Sequence, residues 1–273
     1  MANQLYKFCR QHIKNSRIRT FARNSYHLGI FGRNIIFGAN GTSFKYHPMD
    51  GICEIFFNEG IMKGIVIKFP RVKPNYLNII PYATSSYFYE NLSSETTVFI
   101  DAGAFPGDAA VAFSKLAPNS HILAFEPDYD NLRYLEEMFY LNDVSNVEVI
   151  QTALTGETGT VSFNSGKGMS SRVASDVGLT VNSISLNDIV RKYGLISVLE
   201  SNQLLLKCDI EGSEVDMLQH NCDDFLKYKP RMSIACYHTV NNKTSGEVLI
   251  PILERYGYHI TITNPEHATL IAK

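Results

Sequence analysis

The feature that most constrains the fold is an alternation, from Thr97 onward, of short β-branched apolar runs with stretches of helical spacing. This alternation is typical of βαβ units, which place parallel strands side by side. The runs are apolar at consecutive positions rather than at every second one, which predicts strands buried on both faces. The sequence therefore predicts a doubly wound α/β domain with a mostly parallel sheet and helices on each side.

Seven strands and five helices are predicted in this region. The strands are Val98–Asp101, Ile122–Glu126, Val147–Ile150, Leu204–Asp209, Met232–Tyr237, Tyr258–Thr263 and Ala268–Ala272. The helices are Asp108–Leu116, Asp130–Leu141, Leu186–Tyr193, Glu211–Gln219 and Ser245–Tyr256. Ligands in such a sheet bind at the carboxyl ends of the strands, near the topological switch point.

Residues 1–92 have a different character and form a separate predicted region. Short apolar runs between glycines predict a small β-rich segment with strands at Ile35–Phe37, Glu54–Phe57 and Ile65–Ile67. The proline-containing stretch Arg71–Pro81 indicates a linker, and Tyr82–Leu92 is predicted to be an aromatic-rich helix. The main domain is then expected over residues 93–273.

The beginning of the chain is strongly basic, although the net charge of the whole chain is −2. Eight lysines and arginines precede the first acidic residue, Asp50, and apolar residues recur among them at roughly helical spacing. The pattern predicts a basic amphipathic helix. A solvated helix packed on the domain is the favoured interpretation. Contact with an anionic lipid or glycolipid surface, contact with a polyanionic substrate, and an organellar transit peptide remain as alternatives.

Cysteine usage and hydropathy indicate the compartment. The five cysteines include no C-x-x-C pair and no zinc-binding spacing, which favours reduced core thiols in a cytoplasmic protein. No apolar run approaches the roughly 20 residues of a membrane span, and the N-terminus has no secretory h-region. The sequence thus predicts a cytoplasmic protein, with peripheral membrane contact through the basic segment as an option.

The first chemical motif follows the first strand of the main domain. A buried strand ends at Asp101 and continues through Gly103 and Gly107 into a helix. Glycine lets the backbone approach a ligand closely, and a helix N-terminus offers free N–H donors. A carboxylate at this strand end repels a pyrophosphate but suits the ammonium group of an amino acid, and the G-x-G-x-x-G pattern is absent. An ordinary strand-turn-helix corner is the alternative for this stretch taken alone.

The second motif lies one βα unit later, where the next strand ends at Glu126 before Pro127. A carboxylate in this position accepts hydrogen bonds from both hydroxyls of a ribose, the usual way in which these folds anchor a nucleoside. The separation from Asp101 matches the expected offset of roughly 20 residues or slightly more. The two acids together are more specific than either alone.

Several sequence blocks resemble the FkbM-type family of class I S-adenosylmethionine-dependent methyltransferases, and they occur in that family's order. The K-x-D-x-E-G-x-E block at Lys207–Glu214 is the most specific. The other blocks are Phe99–Gly103 with Gly107, Phe125–Pro127, Ile184–Asp188, and Lys229–Pro230 followed by Ser233–Ile234 and His238. The resemblance spans roughly Thr97 to the end of the sequence and departs from the family at Pro106 and at Ser185–Asp188. It implies a Rossmann-like sheet of seven strands, one of them antiparallel.

The resemblance also implies a site for S-adenosyl-L-methionine. Asp101 and Gly103 are expected to face the methionine moiety, Glu126 to hold the ribose, and the loop after Ile150 to lie beside the adenine. The predicted cofactor-binding residues are Asp101, Ala102, Gly103, Ala104, Phe105, Gly107, Asp108, Glu126, Pro127, Thr152, Ala153 and Leu154.

Methyl transfer from a sulfonium to a hydroxyl needs alignment and a group that removes the proton. By their positions at strand ends, Asp209, Glu211 and His238 are the predicted catalytic residues, with Lys207 tuning or pairing with Asp209. The alternatives are a helix N-cap and a first-turn acid for Asp209 and Glu211, and a packed histidine for His238. A divalent metal bound by the two acids is a further option, although His238 lies in no diagnostic metal motif.

The predicted function is O-methylation of a hydroxyl on a sugar, a glycolipid or a secondary metabolite. The Gly- and Ser-rich stretch Asn164–Ser175 is predicted to be either a mobile lid over this small-molecule or glycan acceptor or only a solvated connection. An RNA methyltransferase with a basic N-terminal arm and a non-catalytic interaction module remain as alternatives, although nucleic acid is a disfavoured partner. An NAD-dependent enzyme is disfavoured because the glycine fingerprint is absent.

Overall fold

The structure is a computed structural model that describes residues 41–47, 49–71, 84–88, 91–165, 172–173, 179–263 and 268–273. The chain divides into two compact units, Met1–Pro81 and Tyr82–Lys273, whereas the sequence analysis places the boundary after Leu92. The predicted basic helix, the predicted strand Ile35–Phe37 and most of the predicted linker lie outside the described residues.

The described part of the first unit is a three-stranded antiparallel sheet of β1 (Thr42–His47), β2 (Ile52–Phe57) and β3 (Val66–Pro70). Cys53, Ile55 and Phe57 alternate with less buried residues along β2, so one face of the sheet forms a small apolar core. The predicted strands Glu54–Phe57 and Ile65–Ile67 fall on β2 and β3, and β1 was not predicted.

The second unit is built on a seven-stranded sheet. All seven predicted strands occur in it, with bounds that differ from the prediction by at most two residues. They are β4 (Val98–Ala102), β5 (His121–Phe125), β6 (Val147–Ile150), β11 (Leu204–Cys208), β12 (Arg231–Ala235), β15 (Ile260–Thr263) and β16 (Thr269–Ala272).

The strand order is β15-β16-β12-β11-β4-β5-β6. Strands β6, β5, β4, β11 and β12 are mutually parallel, and β16 runs antiparallel to both of its neighbours. The chain moves outward from β4 through β5 to β6 and later returns to β11 on the other side of β4. The switch point therefore lies between β4 and β11. The predicted fold class, a doubly wound seven-stranded sheet with one antiparallel strand, is confirmed.

Helices cover both faces of this sheet. They are α1 (84–88), α2 (Asp108–Leu116), α3 (Tyr129–Leu141), α4 (Leu186–Lys192), α5 (Ile196–Glu200), α6 (Glu214–Phe225) and α7 (Ser245–Arg255). On one face Phe99 of β4 stacks on Phe113 of α2 and contacts Phe88 of α1. On the other face Ile100 belongs to a core shared with α4, α6 and α7. The alternation of side chains along β4 therefore sends successive residues to different layers.

Helix α1 and the residues after it bind to the sheet through buried polar contacts. The Asn91 side chain donates to the Met232 carbonyl at 2.8 Å and to the Ser233 hydroxyl at 2.9 Å. The Ser233 hydroxyl in turn donates to the Tyr87 carbonyl at 2.6 Å. These contacts fix the position of Tyr87 at the carboxyl edge of the sheet.

A second, four-stranded sheet was not predicted from the sequence. Its strands are β7 (Ala153–Leu154), β8 (Gly159–Asn164), β9 (Arg172–Val173) and β10 (Leu179–Ile184), in the order β7-β10-β8-β9. A short hairpin of β13 (Thr239–Val240) and β14 (Lys243–Thr244) turns through Asn241 and Asn242, both with positive φ, and leads into α7. Of the predicted lid, Asn164, Ser165 and β9 are described.

One predicted helix begins at the wrong residue. Helix α6 begins at Glu214 rather than Glu211, because Glu211 and Gly212 have φ of 56° and 105° and form a left-handed turn. It also continues to Phe225, beyond the predicted Gln219. Asp209 and Glu211 are therefore outside the helix, and the interpretation of these two acids as its N-cap and first-turn acid is wrong.

Two further properties concern the membrane and the thiols. No helix among the described residues is long and apolar enough to cross a bilayer. The four described cysteines are free thiols, and Cys53, Cys208 and Cys236 are buried whereas Cys222 on α6 is partly exposed.

Candidate functional site

A cleft lies at the carboxyl ends of the parallel strands, beside the switch point between β4 and β11. The space within the cleft, with the open solvent at its mouth included, is about 500 Å³. It is lined by residues at or after the ends of β4, β5 and β11, by Asn131 of α3, and by four residues of the second sheet. These are Gly103, Phe105, Phe125, Glu126, Pro127, Asn131, Asp209, Ile210, Glu211 and Ser213, with Ala153, Leu154, Phe163 and Val173 from the second sheet.

Gly103 forms the floor of the cleft where β4 and β11 separate. Its φ is 76°, and a Cβ added there would lie 1.9 Å from the carbonyl oxygen of Asp209. No larger residue fits without a backbone shift, because that contact is far below a van der Waals distance. The glycine therefore permits the close approach of two strand ends rather than only a tight turn.

Asp101 and Lys207 form a buried ion pair beneath this floor. They are paired directly in the register of β4 and β11, and the Lys207 ammonium lies 2.9 Å from Asp101 Oδ1. Lys207 Nζ also donates to the Gly103 carbonyl at 2.6 Å. Burial alone would lower the pKa of Lys207, but Asp101 and Asp209 raise it, so the ammonium is charged. In this structure Asp101 is fully buried and does not line the cleft.

Glu126 lies at the opposite wall of the cleft, after β5. One carboxylate oxygen accepts from the Asp128 N–H at 2.8 Å, and the other lies 3.4 Å from the Phe105 N–H. The side chain of Asn131 also hydrogen-bonds to the carboxyl group. Burial raises the pKa of Glu126 to about 7. A carboxylate oxygen can accept two hydrogen bonds. The donors that hold the Glu126 carboxylate come from the main chain and from the Asn131 side chain.

The other predicted cofactor residues divide into two groups. Phe105, Pro127, Ala153 and Leu154 line the cleft. The remaining ones do not line it, and they support its edge from inside the fold: Ala102 and Ala104 are buried, Gly107 precedes α2, Asp108 begins α2, and Thr152 lies just before β7. Asp108 accepts a hydrogen bond from Thr84, and burial raises its pKa to about 6.

Asp209, after β11, is held by two tyrosines that were not predicted. The Tyr87 hydroxyl donates to Oδ2 at 2.6 Å, and the Tyr237 hydroxyl lies 3.5 Å from Oδ1. Burial, together with the charge of Asp209, raises the pKa of Tyr87 well above its ordinary value, so Tyr87 remains a donor. The hydroxyls of Tyr87 and Tyr237 thus fix the orientation of the Asp209 carboxylate.

His238, after β12, completes this end of the cleft. Its Nδ1 lies 2.9 Å from Glu214 Oε1, and its Nε2 lies 3.6 Å from Asp209 Oδ1 and 3.8 Å from Glu211 Oε2. The Ser245 N–H donates to the His238 carbonyl at 2.7 Å and fixes the backbone before the hairpin. The structure therefore brings together Asp209, Glu211 and His238, which the sequence analysis predicted as the catalytic group.

The comparison with protein families decides the assignment. The chain matches the Methyltransferase FkbM domain over residues 101–260, more than half of its length. It belongs to the FkbM methyltransferase family. The predicted resemblance is confirmed, and the chain is an S-adenosylmethionine-dependent methyltransferase.

Three solved structures that resemble this FkbM methyltransferase are distant from it in sequence. Precorrin-6y C5,15-methyltransferase from Geobacter metallireducens GS-15 has a TM-score of 0.41 and 14% identity over 72% of this chain and 88% of its own. A methyltransferase from Geobacter sulfurreducens has a TM-score of 0.41 and 13% identity over 70% of this chain and 76% of its own. An O-methyltransferase family protein from Burkholderia thailandensis has a TM-score of 0.39 and 7% identity over 73% of this chain and 55% of its own. A search of curated proteins finds no match.

The sequence analysis missed two groups of residues at the site of this FkbM methyltransferase. Tyr87, Tyr237 and Glu214 contact the predicted catalytic residues from separate elements, and Phe163 and Val173 reach the cleft from the unpredicted second sheet. Glu214 is part of the K-x-D-x-E-G-x-E block, so a motif signal existed for it. The tyrosines carried no local signal.

Proposed function

We propose that this FkbM methyltransferase transfers a methyl group to a hydroxyl oxygen of a sugar, a glycolipid or a secondary metabolite. The observation that carries the proposal is the placement of Glu126 on one wall of the cleft and of Asp209 and Glu211 on the other. The first wall suits a nucleoside. The second suits a hydroxyl that must lose a proton.

The residues present fit the adenosyl and methionine groups of the cofactor. Glu126 lines the cleft and its carboxylate accepts hydrogen bonds, and Gly103, which lacks a Cβ, lets the ends of β4 and β11 meet at the floor of the cleft. Ala153 and Leu154 offer an apolar wall beside Glu126, where the adenine is expected. When bound, S-adenosyl-L-methionine supplies a methyl group already activated on a sulfonium.

The work left to the protein is alignment and proton removal. The acceptor oxygen forms a bond to the methyl carbon while the carbon–sulfur bond breaks, and the electron pair of that bond remains on sulfur. The hydroxyl proton leaves toward the cluster of Asp209, Glu211 and His238. Tyr87 and Lys207 hold Asp209 and the strand end beneath it in place.

The charge of this wall supports a small hydroxylated acceptor rather than a nucleic acid. Asp209 and Glu211 line the cleft, and Glu214 lies directly behind His238. Carboxylates repel a phosphate backbone, whereas they accept hydrogen bonds from the hydroxyls of a sugar. The basic N-terminal segment, which we propose as a contact to an anionic membrane surface in the cytoplasm, lies outside the described residues.

The test compares two variants, one at each wall, in two assays: binding of S-adenosylhomocysteine by titration calorimetry and methyl transfer. Glu126→Ala is expected to weaken binding about ten- to hundredfold, because hydrogen bonds to a charged group contribute about 1.5–3 kcal/mol. Asp209→Asn is expected to bind within a few-fold of the wild type but to lose methyl transfer to hydroxylated glycans, detected by mass spectrometry.

Glu200→Gln, an exposed acid at the end of α5, is the matched control and is expected to change neither property. A folded wild-type protein that does not bind S-adenosylhomocysteine contradicts the proposal. Methylation of nitrogen acceptors but of no hydroxyl would contradict its oxygen specificity.

A further inference from the structure

Three potential metal-ligand atoms lie close together at the wall of the cleft that contains Asp209 and Glu211, which we call the acceptor wall. Asp209 and Glu211 follow β11, His238 follows β12, and one ligand atom from each lies within 4.8 Å of the others. Two acids alone are common on protein surfaces. The histidine is the observation that distinguishes this cluster.

The imidazole of His238 is fixed with one nitrogen bound and the other without a hydrogen bond. Its side chain is 9% exposed, and its Nδ1 lies 2.9 Å from Glu214 Oε1. Because a carboxylate only accepts, Nδ1 carries the proton of this contact. Among the described residues the buried Nε2 has no hydrogen-bond partner, and it is directed at Asp209 and Glu211.

The distances around Nε2 suit a cation better than a shared proton. A charge-assisted hydrogen bond would bring nitrogen and oxygen to about 2.8 Å, whereas the observed separations are 3.6 and 3.8 Å. Two ligands bound at about 2.1 Å to one ion lie about 3.4 Å apart at a tetrahedral angle. The two distances from Nε2 differ from this value by a few tenths of an ångström, and all three ligand atoms lie within 4.8 Å of one another.

Glu214 has the position that an outer-sphere carboxylate has in metal sites. Its Oε1 also accepts the Ile210 N–H at 2.9 Å, so one buried carboxylate orients the imidazole and closes the turn that presents Glu211. A histidine ligand usually donates its other ring N–H to a carboxylate or carbonyl in this way. The described residues thus supply three ligand atoms and the carboxylate that orients the histidine.

We propose that Asp209, Glu211 and His238 bind one divalent first-row transition-metal cation, with Glu214 orienting His238. One imidazole nitrogen and two carboxylate oxygens favour Mn²⁺, Fe²⁺ or Zn²⁺ over Mg²⁺ and Ca²⁺, which prefer oxygen ligands alone. Since Asp209 and Glu211 line the cleft, the open coordination positions face the acceptor. The inference rests on the proposed function for its consequence: the cation would hold the acceptor hydroxyl and make its proton easier to lose.

The experiment measures metal binding by the full chain, first stripped with a chelator that is then removed. Mn²⁺ is titrated and its free concentration followed by electron paramagnetic resonance, and Zn²⁺ is titrated by calorimetry. One site per chain is expected. His238→Ala and Glu211→Gln are each expected to weaken it at least tenfold, and Glu214→Gln about ten- to hundredfold.

The matched control is His220→Ala. His220 on α6 also pairs with an acid, Asp216 Oδ1 at 3.1 Å, but its side chain is half exposed and it is not part of the cluster of three potential ligands. Its loss is expected to leave metal binding unchanged. Glu211 is the more exposed acid of the cluster, so Glu211→Gln keeps the test valid if His238→Ala does not fold.

Binding of S-adenosylhomocysteine by the same samples separates the two proposals. Absence of Mn²⁺ and Zn²⁺ binding in a protein that binds S-adenosylhomocysteine would overturn the metal site and leave the proposed function intact. Metal binding of equal strength in the wild type, His238→Ala and Glu211→Gln would also overturn it, because the ion would then lie elsewhere.

Discussion

The two walls of the cleft are built in different ways. Glu126 is held mainly by its own neighbourhood, through the Asp128 N–H and Asn131, with Phe105 from the preceding turn. Asp209 is held by Tyr87, which is 122 residues away in the sequence, and by Tyr237 from the adjacent strand end. The cofactor wall is local and the acceptor wall is assembled from distant segments.

This difference suggests how one fold keeps its cofactor while its acceptor changes. A wall made by one strand-turn-helix unit forms wherever that unit folds. A wall made of side chains from α1, β11 and β12 changes when any one of these segments changes. The following predictions test how independent the two walls are, from the largest effect to the smallest.

Gly103→Ala is expected to distort both walls of the cleft, because Gly103 lies on the floor between them. The added Cβ would overlap the Asp209 carbonyl, and φ of 76° is unfavourable for alanine. Overpacking and backbone strain together are expected to lower the free energy of unfolding by at least about 3 kcal/mol. Urea unfolding followed by circular dichroism measures the change.

Gly159→Ala is the control for this substitution, since a Cβ at Gly159 meets no atom within 4 Å. Its effect is expected to stay within about 0.5 kcal/mol. Equal stability of the two variants would show that the strand ends are not in contact as described.

The affinity for S-adenosylhomocysteine is expected to rise with pH up to about 7. Burial raises the pKa of Glu126 to about 7, and ribose hydroxyls donate best to its ionised form, so binding lowers this pKa and releases a proton. Below pH 7 the affinity is then expected to fall by up to about tenfold per pH unit. Calorimetry between pH 5.5 and 8, values chosen around that pKa, measures the slope.

Glu126→Gln is the control for the pH dependence and is expected to flatten it. Asp108, with a pKa raised to about 6, titrates in both proteins and cancels in the comparison. The ligand-free stability has the opposite sign: since the folded pKa of Glu126 exceeds its unfolded value, its contribution is complete below about pH 4.5 and is lost as pH rises to about 7. Between about pH 4.5 and pH 7 the free energy of unfolding of Glu126→Gln is therefore expected to depend less on pH than that of the wild type, as measured by urea unfolding.

Tyr87→Phe is expected to weaken only the acceptor wall. Loss of the 2.6 Å hydrogen bond to Asp209 should cost about 1.5 kcal/mol of unfolding free energy and leave the Kd for S-adenosylhomocysteine unchanged. Tyr237→Phe removes a longer contact of 3.5 Å from a more exposed side chain, so a smaller change is expected. A weaker cofactor affinity in Tyr87→Phe would show that the two walls are coupled.

The same contrast explains what could be predicted from the sequence. The main sheet was predictable because strands such as β4 and β11 are buried at every position and apolar at all but one, Asp101 in β4 and Lys207 in β11. The second sheet was not, because β8 and β10 are mostly polar and partly exposed, and they pair through backbone hydrogen bonds that leave little trace in hydropathy. The start of α6 was misplaced because Glu211 adopts a left-handed conformation that glutamate rarely favours.

In the site, strand-end acids were predictable because the topology of a parallel sheet places such residues at one edge. The burial of Asp101 against Lys207 was not, since it depends on the register between β4 and β11. Tyr87 was missed for a related reason. Only the packing of α1 on β12 brings its hydroxyl to Asp209.

The free thiol at the end of β11 has a consequence for following motion of the cleft. Cys208 precedes Asp209, has no exposed surface, and has a pKa raised well above its ordinary value by burial. The thiolate attacks alkylating reagents, so Cys208 is modified only after β11 separates from its neighbours. Cys222, partly exposed on α6, reacts without such opening. Cys53 and Cys236 are buried as well, so the alkylation of Cys208 must be followed on its own peptide by mass spectrometry. Its rate then measures how often the strands under the active site come apart.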